Sequence, residues 1–390
     1  MSRAEIVVDV AAIRHNVARL REHVGTGVMA VVKADGYGHG MEAAARAALD
    51  GGATWLGVAS VDEALALRAA GIRSRILCWL LSVDDNLRAA IEADIDLTAY
   101  SIAHLDAIAH AAAGRPIPAR VQLKVDTGLS RGGATKEDWP SVVGRARVGE
   151  QDGLLRVTGI WSHFATSEDP AASSNRTQEQ AFTQALEVAE ASGLAPEVRH
   201  IANSAGALLR PSSRYDLVRC GIAIYGLDPA PGAEGSPWAG LGMVPAMTVR
   251  AKLAMSKRIA RGASVGYGGT WTAQAPTTLG LVPVGYAEGI MRAAGNKAEV
   301  FVAGRRRPIR GAISMDQFTV DLDGSLPAAG TEVVLWGPGT QGEPTAEDWA
   351  QWCGTITYEI VTRLGGRFGR VYVDSDAVEP EPELESATNP

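Results

Sequence analysis

The chain has 390 residues, of which 46% are hydrophobic and 21% are charged, close to the averages for soluble globular proteins. This composition excludes extended disorder as the main state, and the length exceeds the size at which one hydrophobic core stops growing, so two domains are expected. A net charge of -7 without any long lysine- or arginine-rich block argues against a nucleic-acid partner.

The first part of the chain, from about residue 27 to residue 225, alternates short apolar runs with longer runs of helical period. This alternation predicts βα units and a parallel sheet. Eight strands with helices between them favour a closed (β/α)8 TIM-type barrel over a doubly wound sheet, since no GxGxxG follows the first strand. The predicted strands are Val28–Val32, Trp55–Ala59, Arg75–Trp79, Asp96–Tyr100, Ala119–Val125, Arg156–Ser162, Glu197–Ile201 and Asp216–Ile224.

A Pro/Gly-rich stretch around residues 229–239 predicts a domain boundary, because such linkers cross few contacts. We expect the barrel to cover residues 1–235, with residues 1–10 able to pack with the second domain. A mostly β domain is expected over residues 236–378. The acidic, proline-rich residues 379–390 are predicted to be a disordered tail.

Short strands without long helices characterise the second part of the chain. The run Arg305-Arg306-Arg307, flanked by such strands, is expected to form a solvated hairpin turn. The predicted elements are the strands Met247–Ala254, Thr278–Val284, Ala298–Val302, Phe318–Leu322 and Glu332–Leu335 and the short helices Ala346–Trp352 and Thr357–Leu364.

Three cysteines, Cys78, Cys220 and Cys353, are too few and too far apart for a disulfide framework or a CxxC metal site. They favour a reducing compartment. The start of the chain lacks the apolar region of a signal peptide, and no run of about 18 apolar residues follows. We therefore expect a cytoplasmic protein with no membrane partner and no metal ion.

Polar residues follow or end many of the predicted barrel strands, at positions that form the active-site rim of a (β/α)8 barrel. Such residues are uncommon inside apolar strands, so their recurrence at one end predicts a functional site. The residues at these positions are Lys33, Lys124, Arg131, His163, Asn203 and Ser204, and Arg219 lies in the eighth predicted strand with Gly221 just after it.

Lys33 directly follows the apolar run Met29–Val32, where a charged amine is costly to bury. Taken alone, it is more simply explained as a surface lysine at the end of a strand. A partly desolvated lysine, however, has a lowered pKa and can form a Schiff base with an aldehyde. Gly36, Gly38 and Gly40 support this second interpretation, because they allow a tight turn and a close approach of the backbone to a ligand.

The segment VVKADGYGHG, at Val31–Gly40, resembles the lysine motif of alanine racemases and their relatives, the fold-type III enzymes that use pyridoxal phosphate (PLP). The resemblance recurs in order over roughly residues 5 to 375 and implies a PLP-dependent amino-acid racemase, an isomerase. The other matching segments are Lys124–Arg131, Ser162–Ala165, His200–Ser204, Leu217–Ile222, Ser264–Trp271, Val284–Gly289 and Ile313–Gln317.

The resemblance implies that Lys33 holds PLP and that Lys33 and Tyr267 carry the Cα proton on opposite faces of the substrate. Arg219 is implied to face the pyridine nitrogen, where a permanent positive charge disfavours protonation and weakens PLP as an electron sink. With His163, it is implied to form a relay toward Tyr267. The implied cofactor-binding residues are Lys33, Tyr37, His163, Asn203, Ser204, Arg219, Gly221, Ile222 and Tyr358.

Ser204 and the backbone N–H groups of Gly221 and Ile222 suit a phosphate, since barrel phosphate sites commonly use the loops after strands seven and eight. Among the implied substrate-binding residues, Arg131, Tyr286 and Met315, the first lies near Lys124 in sequence. Lys124 is carbamylated in some family members, which makes an anion that orients the arginine; two solvated cations are the alternative.

In the family, Tyr267, Tyr286 and Met315 reach the cofactor of the other subunit, which implies a homodimer with shared active sites. The implied reaction interconverts L- and D-alanine and supplies D-alanine for cell-wall peptidoglycan. A racemase of serine or of a broader range of amino acids is one alternative. A barrel-type decarboxylase is disfavoured by Arg219, and a non-catalytic PLP-binding barrel typically lacks a second domain.

Four positions depart from the usual family pattern: Leu129, Gly266, Glu288 and Ala312 stand where methionine, serine, aspartate and often arginine occur. These changes leave the chemical groups of the expected site intact. They leave open the shape of the pocket and the route by which substrate reaches it.

Overall fold

The structure is a computed structural model that describes residues 3–82 and 84–374. Its first strand, β1 (Ala4–Asp9), leads into the helix Val10–Val24. Asp9 caps this helix, because its carboxylate accepts hydrogen bonds from the N–H groups of Ala11 and Ala12. The predicted tail at residues 379–390 lies outside the described residues.

Eight parallel strands then form a barrel, which confirms the predicted fold class. Their order around the barrel follows the chain, except that the last strand pairs with the first. Between the seventh and eighth strands, Arg219 N donates to Ala202 O at 3.0 Å, so the sheet is nearly closed. The strands are β2 (Gly27–Val31), β3 (Trp55–Val58), β4 (Arg75–Cys78), β5 (Asp96–Ala99), β6 (Ala119–Lys124), β7 (Leu155–Trp161), β8 (Val198–His200) and β9 (Leu217–Cys220).

Helices connect most of these strands, and their apolar faces pack against the barrel. In Val61–Ala69, for example, Val61, Ala64 and Leu67 recur at helical spacing and are buried. Ser60 and Glu63 form a capping box at its start, which satisfies two backbone N–H groups. The other helices of this part are Met41–Asp50, Leu87–Glu92, Ile102–Ala112, Trp139–Gln151, Ser173–Ala191 and Ser204–Leu209.

The last third of the chain contributes eight strands to a mostly antiparallel sheet, whose ninth strand is β1. It also forms a separate two-stranded ribbon. Its helices are Ala346–Cys353 and Thr357–Thr362. Its strands are β10 (Met247–Lys252), β11 (Met255–Ile259), β12 (Ser264–Val265), β13 (Trp271–Thr272), β14 (Thr277–Val282), β15 (Glu299–Val302), β16 (Arg305–Arg310), β17 (Phe318–Asp321), β18 (Glu332–Trp336) and β19 (Gly369–Val373). The strand order is β11-β14-β17-β16-β15-β18-β10-β1-β19, with β12 pairing β13 in the ribbon.

The structure corrects several sequence predictions. The eighth barrel strand ends at Cys220, four residues before the predicted end, because the chain turns at Gly221 into a 3-10 segment, Ile222–Tyr225. The arginine run lies in β16, and the hairpin turn falls before it, where Ala303 and Gly304 adopt positive φ angles. The strands that were not predicted are β1, β11, β12, β13, β16 and β19. Among the described residues, no helix is long and apolar enough to cross a membrane.

Candidate active site

The carboxyl ends of the barrel strands surround a cavity of about 700 Å³. The helix Thr357–Thr362, from the second part of the chain, closes one side of it. The structure therefore brings together most of the predicted site residues. Those that line the cavity are Lys33, Tyr37, Lys124, Arg131, His163, Asn203, Ser204, Arg219, Gly221, Ile222 and Tyr358.

Lys33 enters this cavity from a left-handed turn. The four residues after it, Ala34–Tyr37, have φ angles between 52° and 63°. Such a conformation costs roughly 1–2 kcal/mol for each residue other than glycine, so surrounding contacts must hold it. One of them is Glu63, whose carboxylate accepts a hydrogen bond from Ala34 N at 2.7 Å.

The environment of Lys33 favours its neutral form. Burial lowers the pKa of the Lys33 amine, and the nearby guanidinium of Arg131 lowers it further, against an opposing effect of Glu63. The Lys33 Nζ atom lies 5.7 Å from the centroid of the Trp79 ring. A lysine with this lowered pKa is a competent nucleophile toward an aldehyde.

A small polar cradle lies where β8 and β9 end. Asn203 caps the helix Ser204–Leu209 by accepting from Gly206 N at 2.9 Å, and the Ser204 hydroxyl accepts from Gly221 N at 3.0 Å. Gly221 must lack a side chain here, because a Cβ atom would lie 2.4 Å from the Tyr37 hydroxyl oxygen. Loops after the seventh and eighth strands commonly bind phosphate in such barrels.

Arg219 points across the barrel interior and is only 4% exposed. Its guanidinium donates to the carbonyls of Ser162 (2.7 Å) and Ile201 (3.0 Å) and contacts Nδ1 of His200 (2.7 Å) and of His163 (3.0 Å). Burial lowers the pKa of Arg219 to about 9, which still leaves it protonated at neutral pH. A positive charge is therefore held at the cavity floor.

The guanidinium determines which nitrogen of each neighbouring histidine carries a proton. Because arginine only donates, the Nδ1 atoms of His163 and His200 must accept, and their neutral rings carry hydrogen on Nε2. The Nε2 of His200 accordingly donates to Gln122 Oε1 at 2.8 Å. Burial first, and then Arg219, lower the pKa of both histidines well below the usual value.

Positive charge predominates in the cavity. Burial, Arg219 and Arg131 together lower the pKa of Lys124 to about 8, and its Nζ lies 4.6 Å from the Trp161 ring centroid. Lys33 adds a fourth basic group to the lining. Within the described part of the chain, no carboxylate lines the cavity. An anionic ligand would therefore be stabilised here.

Three predicted site residues do not line this cavity. Tyr267, Tyr286 and Met315 lie in the second part of the chain and are exposed by 75%, 44% and 53%. Their separation from the cavity is compatible with the expected contribution from another subunit.

Sequence reasoning missed several residues of the lining. The Trp161 ring lies under the guanidinium of Arg219 at 4.8 Å, and the Trp79 ring faces Lys33. Both tryptophans fall at the carboxyl ends of predicted strands, so the rule that identified the polar residues could also have identified them. The remaining missed residues are Val31, Ala34, Leu80, Tyr100, Gly132 and Thr362.

A lysine with a lowered pKa, a polar cradle at the ends of β8 and β9 and a buried guanidinium correspond to the aldehyde, phosphate and pyridine nitrogen of PLP. The residues present thus fit this cofactor. Together with the barrel, they define a PLP-binding barrel enzyme.

Comparison with known proteins identifies the family. The family models "Alanine racemase, N-terminal domain" and "Alanine racemase, C-terminal domain" match residues 8–229 and 246–372. A curated alanine racemase of Streptomyces coelicolor is 51% identical over 378 residues, which are 95% of this chain and 96% of the relative. One from Thermobifida fusca is 51% identical over 372 residues, covering 95% and 98%. The chain belongs to the alanine racemase family of PLP-dependent isomerases.

Solved structures agree with this assignment. Alanine racemase from Streptomyces coelicolor A3(2) superimposes with a TM-score of 0.93 at 51% identity, covering 96% of this chain and 98% of that one. The enzyme from Bartonella henselae, solved with covalently bound pyridoxal phosphate, has a TM-score of 0.84 at 31% identity, with coverage of 96% and 100%. The fold and the sequence similarity therefore extend over nearly the whole chain.

Proposed function

We propose that this chain interconverts L- and D-alanine in the cytoplasm and supplies D-alanine for peptidoglycan, with PLP held covalently by Lys33. The observation that carries the proposal is the pairing, in one cavity, of a lysine of lowered pKa with a buried, protonated Arg219. The full-length similarity to alanine racemases supports the substrate. Three cysteines without disulfide partners suit a reducing compartment.

The cofactor would be held at both of its ends. Ser204, Gly221 and Ile222 would bind the phosphate, with the hydroxyls of Tyr37 and Tyr358 beside them. Asn203 and His163 line the same cavity, and Arg219 would face the pyridine nitrogen. When bound, PLP supplies a conjugated ring that withdraws electrons from the Cα of the substrate. Because Arg219 stays cationic, it disfavours protonation of the ring nitrogen, which favours return of the proton to Cα over transamination.

Racemisation needs one proton-handling group on each face of the substrate. Lys33 Nζ would take or return the Cα proton on one face, and the lowered pKa of its amine favours the neutral form that accepts a proton. None of the residues that line the cavity was predicted to act as the base on the opposite face. We assign this role to Tyr267 of the partner subunit, with His163 and Arg219 forming the polar relay toward its phenol.

The surface of the second part of the chain supports a homodimer with shared active sites. Tyr286 N donates to Ser314 O at 3.1 Å, so the loops that carry Tyr286 and Met315 lie side by side. A Cβ atom on Gly266 would lie 3.1 Å from Ala312 N, which places the Tyr267 segment against the same region. Exposed aromatic and apolar side chains on adjoining loops are typical of an interface.

Glu288, which stands where the family usually has aspartate, has polar partners in this structure. Its buried carboxylate accepts from Gly285 N at 2.8 Å and pairs with Arg3 and Arg367. Arg367 also pairs with Asp316, so it links the two loops that carry the proposed substrate-binding residues. The longer side chain of glutamate therefore still anchors its loop.

We further propose that Lys124 is carbamylated and that the resulting anion orients Arg131 toward the substrate carboxylate. A pKa of about 8 leaves roughly a tenth of the Lys124 amine neutral at pH 7, and reaction with carbon dioxide requires this neutral form. A carbamate would also offset part of the positive charge that Lys124, Arg131 and Arg219 concentrate in the cavity.

The activity is tested by recording the visible spectrum of the purified chain and then following optical rotation with single L-amino acids. Turnover of L-alanine with a cofactor absorption band is expected. The absence of the band would reject the Lys33 assignment, and turnover of serine without alanine would keep the chemistry but reject the substrate.

The two-base proposal predicts that Tyr267→Phe retains bound PLP but racemises alanine at least about 100-fold more slowly, since a positioned base contributes roughly this much. Tyr215→Phe, at a tyrosine outside the cavity lining, is the matched control and should be near normal. A near-normal rate for Tyr267→Phe would exclude this residue as a base.

The shared-site proposal is tested by mixing two inactive variants, Lys33→Ala and Tyr267→Phe. A mixed dimer would contain one site with both residues intact, so subunit exchange should restore up to about a quarter of the wild-type activity. No recovery, despite exchange verified by mass spectrometry, would mean that both residues act within one chain.

A further inference from the structure

His39 lies behind the turn that carries Lys33 and does not line the active-site cavity. Its side chain is completely buried, and its ring stacks on Tyr225 with centroids 4.3 Å apart. Tyr225 in turn contacts the Tyr37 ring at 5.2 Å and donates from its hydroxyl to Val31 O at 3.1 Å. His39 is therefore linked through Tyr225 to residues on both sides of the left-handed turn.

The hydrogen bonds of His39 determine its protonation. Its Nδ1 lies 3.0 Å from Gly36 O and 3.0 Å from Tyr37 O, and carbonyl oxygens can only accept. The Nδ1 atom must therefore carry hydrogen and donate to both. Burial lowers the pKa of His39 to about 4, so the ring is neutral near pH 7 and Nε2 presents a lone pair.

The Nε2 atom of His39 has no hydrogen-bond partner within the described residues, and neither does Nε1 of Trp336. Both residues line the same small cavity of about 10 Å³, at the contact between the barrel and the second part of the chain. This is roughly the smallest volume that holds one water. A single water could accept from Trp336 and donate to His39, which would satisfy both buried nitrogens.

We propose that His39 is a positioning residue for Lys33: with an internal water shared with Trp336, it holds the left-handed turn from which the lysine enters the active site. The inference rests on the proposed role of Lys33. The backbone of Ala34–Tyr37 is strained, and two of its four carbonyls are bound by the imidazole. Loss of the hydrogen bonds from His39 to these carbonyls would let the turn relax and would displace Lys33 from the cofactor.

Two amide variants separate the role of Nδ1 from simple packing. In His39→Asn the amide nitrogen lies near the position of Nδ1, whereas in His39→Gln it lies nearer the position of Nε2. His39→Leu keeps much of the bulk and removes both nitrogens. We expect His39→Asn to resemble wild type and the other two variants to be impaired.

The first readout is hydrogen exchange in the full chain. The amides of Gly36, Gly38 and Gly40 donate within the turn, and in His39→Leu and His39→Gln they should exchange about tenfold faster, as expected for one lost buried hydrogen bond. The amides of the helix Val61–Ala69 serve as the internal control. Equal turn exchange in wild type and His39→Leu, or better protection in His39→Gln than in His39→Asn, would overturn the proposal.

The second readout is PLP binding, followed by its visible absorption. His39→Leu should bind PLP about tenfold more weakly and lower kcat for alanine while leaving KM nearly unchanged, because Lys33 is misplaced but the substrate pocket is intact. Wild-type affinity and kcat would overturn the proposal. If wild type itself bound no PLP, the proposed function would fail, whereas turn exchange would still test His39.

A crystal structure of the full chain tests the water. Ordered solvent within hydrogen-bonding distance of both His39 Nε2 and Trp336 Nε1 is expected. A dry cavity in well-ordered density would overturn that part of the proposal.

Discussion

The phosphate cradle makes Gly221→Ala the most informative single substitution. The new methyl group would lie 2.4 Å from the hydroxyl oxygen and 2.9 Å from Cζ of Tyr37. Both distances are shorter than van der Waals contact. The Tyr37 ring has little room to retreat, because it is buried and packs against the rings of Tyr225 (5.2 Å) and Tyr358 (6.2 Å).

Overpacking of this kind costs about 1–3 kcal/mol. Without PLP the Tyr37 ring can move toward the cavity that it lines, so most of the cost falls on the bound state. PLP affinity should therefore drop by roughly 5- to 150-fold, since each 1.4 kcal/mol corresponds to a factor of ten. Gly132→Ala is the matched control. Gly132 lines the same cavity, but its new methyl group would meet only Lys124 Nζ, at an ordinary 3.6 Å.

The assay is a PLP titration of cofactor-free protein, followed by visible absorption, with thermal unfolding to confirm that each variant is folded. Adding Tyr37→Phe to Gly221→Ala removes the shorter contact, so the two substitutions should be non-additive in a double-mutant cycle. Equal PLP affinity for Gly221→Ala and Gly132→Ala in folded protein would refute the reasoning, because it would mean that PLP binding tolerates a side chain at position 221.

Three further predictions concern charge. Carbamylation of Lys124 should increase as pH rises through about 8. It is measured by NMR as a protein carbamate signal that appears with ¹³C-labelled bicarbonate and is lost in Lys124→Ala. A pH-independent carbamate signal would contradict the prediction. Arg219→Glu should raise pyruvate formation relative to racemisation about tenfold, because a carboxylate favours protonation of the ring nitrogen of the cofactor. An unchanged ratio in folded protein would reject the proposed effect of Arg219 on that nitrogen. Finally, His163 and His200 have lowered pKa values in the folded state. Below pH 6.5 the unfolded chain therefore binds more protons than the folded chain, and the free energy of unfolding should fall as the pH is lowered. Urea unfolding of wild type against His163→Gln, which should show a shallower decline, measures this effect.

Much of the fold could be predicted because its signals are local. Alternating apolar runs and helical periods predicted the barrel strands to within a residue or two at nearly every end. The exception is the predicted strand Asp216–Ile224, whose apolar pattern continues past Cys220 although the chain turns at Gly221. Periodicity does not distinguish an apolar strand from an apolar 3-10 segment.

The pairing of distant strands was beyond local reasoning. Strand β1 pairs with β10 and β19, which lie more than 200 residues further along the chain. Nothing in the residues Ala4–Asp9 specifies these neighbours. Their pairing joins the start and the last third of the chain, which meet only in the folded molecule.

The same contrast between local signals and contacts made only on folding applies to Lys33. Its residue type, its place after an apolar strand and the glycines that follow favoured a Schiff-base lysine, and the resemblance of the segment to the racemase motif implied PLP. Only the tertiary structure revealed the left-handed turn at Ala34–Tyr37, its hydrogen bonds to His39 and the direction of the Lys33 pKa shift. The reason is physical: strand and motif patterns depend on neighbours along the chain, whereas strain, tautomers and pKa values depend on groups that folding brings together from distant segments.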